Sequence, residues 1–223
     1  MKQLTSDDIY VLRKLQSVGY QSAIIGGGAV RDVYLDRWPN DIDIFIWNAY
    51  ESTEPVDPEY RTINEKTLAK LFDLTITEKQ EPDISDDPFN INFDAFFFDT
   101  DADSVTRLSD AAYTGRANHV VSVWDVWMNL FETRYQIIVL NKDPVEYVTK
   151  YFDIGLCMCY CDGVRMRYTD AFLTDAGNKT LTVCGELTQA EYQYTMDHHI
   201  LKLKQYFPNY TVIDQLKDKF PKT

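Results

Sequence analysis

Residues 24–46 read IIGGGAVRDVYLDRWPNDIDIFI, and no other stretch limits the fold of this chain as tightly. A short apolar run enters three glycines. An Arg31-Asp32 pair follows, then a Pro39-Asn40 turn, then Asp41 to Ile46. That last segment alternates polar and apolar residues, the period of a strand with one buried face. Asp41 and Asp43 therefore leave the same face. Like charges held that close repel unless a cation sits between them. Hard carboxylate oxygens suit Mg²⁺ or Mn²⁺. Two such ions about 3.5–4 Å apart are a common device for in-line displacement at phosphorus.

Gly26, Gly27 and Gly28 leave the backbone bare, so a phosphate can approach closely. Ala29 to Leu35 reads as a short helix, whose N-terminal amides and dipole favour an anion. Arg31 lies one turn in, placed either to contact phosphate or to pair with Asp32 and brace the loop. Taken singly, GGG is only a tight turn and Asp-x-Asp only a solvated strand face. Taken in this order and spacing, they describe a phosphate cradle beside a metal-binding carboxylate pair. The simplest ligand joining the two is a nucleoside triphosphate with bound Mg²⁺.

GGGAVRD followed by NDIDIF resembles the Gly-Gly-x-Val-Arg-Asp and Asp-x-Asp motifs of the DNA polymerase β-like nucleotidyltransferase superfamily. The likeness is greatest to the head domain of CCA-adding enzymes and bacterial poly(A) polymerases. Gly27, Gly28, Arg31, Asp32, Asp41 and Asp43 match residue for residue. The resemblance implies an α+β fold, with a mixed, mostly antiparallel sheet and helices packed on one side. It also implies transfer of a nucleoside monophosphate from an NTP, with Asp41 and Asp43 on the metals and Gly26, Gly27, Gly28 and Arg31 on the nucleotide.

The superfamily places a third carboxylate on a later strand beside the Asp-x-Asp strand. Two positions compete. Asp94 lies inside an aromatic-rich segment, INFDAFFF. Asp153 heads FDIGLCMC, in a block (YQIIVLNKDPVEYVTKYFDIGLCMC) resembling divergent, often viral, members, and its neighbours Gly155, Cys157 and Cys159 are small. Asp153 is the preferred metal ligand and base. HHILKLKQYFP resembles the Arg/Lys-x-x-Lys-Tyr pattern near the end of those members, which implies a triphosphate contact for Lys202. The plain alternative is a cation complementing a helix C-terminus. His198 and His199 are adjacent, diverge by about 100° on a helix and cannot chelate one metal; no role is assigned to them.

The resemblance stops short of CCA addition. About sixty residues follow Asp162, fewer than a tRNA-binding neck and body need, and no Glu-Asp-x-x-Arg motif is visible. The segment 72–118 matches nothing in that family.

The chain of 223 residues is 45% hydrophobic and 14% aromatic, enough for a real core. It reads as one nucleotidyltransferase domain over 1–223, with a catalytic core of about 18–168 and a helical segment over 188–207. A net charge of −13 argues against broad non-specific nucleic-acid binding, but not against a local basic groove. No apolar run approaches a membrane span. MKQLTSDDIY lacks the apolar core of a signal peptide. Cys157, Cys159, Cys161 and Cys184 lack zinc-site spacing and read as reduced thiols. These features predict a soluble cytoplasmic protein, in the host cytoplasm if the source is viral.

Three functions stay open. One is transfer to an RNA (tRNA-like) 3′ end, the favoured one. The second is transfer to a protein hydroxyl, to which the net acidity gives some weight. The third is a non-catalytic nucleotide- or partner-binding relative.

Overall fold

The computed structural model of the protein describes residues 2–48, 58–76, 104–107, 119–128 and 133–220. Helix α1 (Ser6–Ser17) starts at a capping box in which Thr5 accepts from the Asp8 amide and Asp8 accepts from Thr5. The cap is thus Thr5 rather than Ser6, the other hydroxyl available. Strand β1 (Ile24–Gly26), helix α2 (Gly28–Tyr34) and strand β2 (Ile42–Trp47) follow. The glycine run, short helix and alternating strand are therefore where the sequence places them. Helix α3 (Glu65–Phe72) is capped by Asn64. Strands β3 (Thr75–Ile76) and β4 (Ser104–Arg107) precede the long hairpin of β5 (Val120–Met128) and β6 (Thr133–Leu140). Asp94 and its aromatic segment lie outside the described residues.

Helix α4 (Pro144–Glu146) begins with the expected proline and runs into a π turn, Tyr147–Tyr151. The apolar composition of Phe152 to Cys161 suits a strand, but the segment is broken. Ile154 makes one bridge to Val183, Gly155–Cys157 is a 3₁₀ turn, and only β7 (Cys159–Cys161) joins the main sheet. Strand β8 (Met166–Tyr168) returns after the Asp162-Gly163 turn. Helix α5 (Asp170–Asn178) and strand β9 (Thr180–Val183) occupy a segment with no clear sequence pattern. Then α6 (Gln189–Tyr194), a π turn (Thr195–His199) and α7 (Ile200–Tyr206) run on as one helix, ahead of β10 (Thr211–Asp214).

The main sheet has the order β3-β4-β5-β6-β2-β1-β7-β8. Only β2–β6 and β3–β4 pair in parallel; the other ladders are antiparallel. β9 and β10 form a separate parallel pair. The fold is α+β, as expected.

The alternation along each strand divides the sheet into two faces. Ile42, Ile44 and Ile46 of β2, with Tyr135, Ile137 and Val139 of β6, point into the large core under α1, α2, α3, α5 and the C-terminal helix. On the reverse face Ile24, Phe45, Ile138 and Val123 form a smaller apolar patch, roofed by Tyr147 and Val148 of the α4 segment. Among the described residues, helices cover the first face, and the α4 segment covers one end of the reverse face. Among the described residues no helix is long and apolar enough to cross a membrane.

Candidate active site

The reverse face changes character one step along the strands. Phe45 pairs with Ile24 on one side and Ile138 on the other, and Ile138 with Val123. Two residues earlier on β2, Asp43 pairs with Gln136, and Gln136 with Asp125. The β1–β2 register, continued one residue past Ile25↔Ile44, sets Gly26 beside Asp43. An apolar row (Ile24, Phe45, Ile138, Val123) is followed by a polar row (Gly26, Asp43, Gln136, Asp125). Neighbouring members of each row stand about 4.8 Å apart across the strands. Asp41 and Asp43 are both half-buried there. Asp125 accepts from Arg134 Nε at 2.7 Å.

Glycine is required at the edge of this row for space. A Cβ on Gly26 would meet Phe45 at 3.0 Å and Val148 at 3.1 Å. Gly27 turns the chain from β1 into α2 at φ +67°, a region other residues rarely adopt, and a Cβ there would meet Phe152 at 3.0 Å. The Gly27 N–H does not face a ligand. It donates to the Cys159 carbonyl at 2.9 Å. The backbone donors left over at this corner are the first-turn amides of α2, which have no partner within the helix.

Arg31 takes the bracing role. It is 9% exposed, donates through Nε to Asp32 at 2.8 Å and through Nη1 to Cys157 Sγ at 3.4 Å, and lies 5.3 Å from the Phe207 ring. Burial alone would lower the guanidinium pKa, but Cys157 and Asp32 beside it push it above its ordinary value. Burial pushes the Cys157 thiol up, against the pull of Arg31. A cation locked this way orders the loop around Gly28.

Asp153 is not where the sequence suggests. The neighbours of β2 are β1 and β6, so the strand that follows Asp153 does not adjoin it. The β6 residue level with Asp43 is the amide Gln136. Asp153 instead accepts from Thr195 Oγ1 at 2.8 Å and from His199 Nδ1, both on the C-terminal helix. Among the described residues, no group of three His, Cys, Asp or Glu side chains is able to hold a metal ion. Asp41, Asp43 and Asp153 therefore do not converge as one ligand set. Lys202 is exposed on α7. The sequence reading missed His199 and Thr195. Their i, i+4 spacing puts both on one helix face, but nothing local points to a partner more than forty positions earlier.

Asp41 and Asp43 remain a fitting donor set for Mg²⁺. That ion is held by one or two protein carboxylates and completed by substrate phosphates and water.

No protein-family model matches the chain, and no curated protein matches it. Solved structures do share its fold. A CCA-adding enzyme in complex with ATP superposes with a TM-score of 0.52 at 12% identity, over 96% of this chain and 41% of that one. A CCA-adding enzyme in apo form gives 0.51 at 14%, over 97% and 42%. A tRNA-processing enzyme in apo form gives 0.51 at 12%, over 97% and 46%. This chain spans less than half the length of each. At these identities the likeness establishes the fold alone, one shared with part of these CCA-adding and tRNA-processing enzymes.

Proposed function

We propose that the protein is a metal-dependent nucleotidyltransferase that moves a nucleoside monophosphate from an NTP to an acceptor hydroxyl, with an RNA 3′ end as the acceptor. One observation carries this reading: Asp41 and Asp43 stand half-buried on the polar row of the reverse sheet face, beside the glycine strand that runs into the N-terminus of α2. The carboxylate pair and the start of α2 lie at the same end of adjacent strands, where a triphosphate would span both. The shared fold of a CCA-adding enzyme solved with ATP supports it.

Asp41 and Asp43 would hold Mg²⁺ or Mn²⁺, which when bound polarises the phosphoryl oxygens and lowers the pKa of an oxygen ligand. The first-turn amides of α2 would donate to the β- and γ-phosphate oxygens. Arg31 keeps that corner rigid. The acceptor oxygen forms a bond to the α-phosphorus, the bond from that phosphorus to the bridging oxygen breaks, and pyrophosphate leaves. The hydroxyl proton passes to water at the open face. Asp153 acts at one remove, holding the C-terminal helix against the Arg31 corner. The whole chain acts as one catalytic unit in this account.

The acidity of the chain favours a second reading, in which the acceptor is a protein hydroxyl. Incubation with each α-³²P NTP, Mg²⁺, total RNA and lysate protein separates the readings. Label on RNA supports the proposal, and label on protein replaces the acceptor. No label from a folded sample would leave a binding protein.

A further inference from the structure

The row Gly26, Asp43, Gln136, Asp125 has a direction. The glycine corner lies on the β1 side of Asp43, and Gln136 lies on the β6 side. In an in-line displacement the incoming oxygen and the leaving oxygen take opposite sides of the phosphorus. If pyrophosphate departs towards the glycine corner, the acceptor hydroxyl arrives over β6. Gln136 is the side chain that β6 presents there. It is half-buried, on the same face as Asp43 and about 4.8 Å along the sheet.

A glutamine in that place has specific consequences. It neither adds negative charge beside Asp41 and Asp43 nor takes a proton at neutral pH. A glutamine amide carries both an N–H₂ donor and a carbonyl acceptor, the pairing chemistry of a sugar hydroxyl that both donates and accepts. The next polar group out is the Arg134–Asp125 pair. Arg134 lies two residues before Gln136, hence on the same face, and its guanidinium is fixed by Asp125. The β2–β6 register, continued one residue, sets Arg134 level with Asp41, and its guanidinium is turned to Asp125 on β5, where it is the cation that the next phosphate of a polyanionic acceptor would meet.

We propose that Gln136 is the acceptor-binding residue of this site, that it hydrogen-bonds the terminal ribose, and that Arg134 contacts the following phosphate. The acceptor then lies across β6 and β5, away from the triphosphate. This rests on the nucleotidyltransferase reading and adds the side from which the acceptor enters.

Steady-state transfer to a fluorescein-labelled 20-nucleotide RNA with a free 3′ hydroxyl tests it. Gln136→Ala should raise the KM for that RNA about tenfold while leaving the KM for ATP or CTP within twofold and the melting temperature unchanged. Arg134→Gln should raise the RNA KM and flatten its dependence on salt. A raised NTP KM with an unchanged RNA KM in Gln136→Ala would overturn the assignment and leave the enzyme reading standing. Absence of transfer by the wild-type chain would overturn both.

Discussion

Asp153 and His199, forty-six positions apart, are joined side chain to side chain, with Thr195 Oγ1 donating to the same Asp153 oxygen. The contact clamps the C-terminal helix to the loop that leads into β7. That helix in turn ends at Phe207, whose ring lies against Arg31 and Arg37. The corner around Gly28 is thus held from a distance, through Cys157, Arg31 and the helix end.

Asp153→Ala leaves His199 and Thr195 facing each other without their carboxylate. Both side chains are largely covered, 19% and 14% exposed, so removing the hydrogen-bonded carboxylate should cost about 1–3 kcal/mol. Hydrogen exchange should quicken across 189–206 and in α2. An unchanged exchange pattern would contradict the clamp.

Gly185 follows β9 at φ +88°, and a Cβ there would clash with the Phe152 carbonyl. The same turn is stitched to the loop before it. Cys184 N–H donates to Asp153 O at 2.9 Å, and Glu186 N–H to Lys150 O at 3.0 Å. Gly185→Ala should cost about 2–4 kcal/mol through strain and clash. A chemical denaturation midpoint matching the wild type would refute this.

Alkaline stability follows from buried acids. Burial, with Asp175 and Asp153 nearby, pushes the Cys184 thiol from 9.0 up to about 12. The hydrogen bond to Asp214 pushes Tyr192 from 10.0 up to about 12. Above pH 9 the unfolded chain releases these protons while the folded chain keeps them, so folding stability falls as pH rises. Denaturation midpoints should be flat up to about pH 9 and decline between about 9 and 12. Cys184→Ala should decline less steeply.

Metal removal should silence the enzyme without unfolding it. Excess EDTA should abolish transfer and leave the circular dichroism spectrum unchanged, and Mg²⁺ or Mn²⁺ should restore the rate. Transfer that survives chelation would remove the role given to Asp41 and Asp43.

The residues around Asp41 were legible because their signals are local. Alternation in β2, glycines before α2 and a capped α1 each follow from a few neighbours in sequence. Asp153 was misread for the opposite reason. Phe152 to Cys161 has strand composition, but the Gly155–Cys157 turn breaks it, and the clamp to His199 depends on a helix more than forty residues away. Gln136 lies in a strand the sequence shows plainly, yet its place beside Asp43 depends on the parallel β2–β6 pairing, which no local pattern encodes. Segment 169–183 gave no periodic signal, because α5 is capped by Thr169 and stabilised by the buried Asp175 bonded to Thr180 and Thr182.

The central claim is that the Asp41–Asp43 pair beside the glycine edge is the reaction centre. The direct measurement is transfer of α-³²P label to RNA by the wild type and by the Asp41→Ala, Asp43→Ala double variant, with melting temperatures recorded for both. Removing clustered negative charge seldom destabilises a fold, so the melting temperatures should agree. Loss of charge-stabilising groups at a reaction centre typically costs about 10²–10³-fold or more, so label should fall at least that far. Undiminished labelling by a folded double variant would contradict the account.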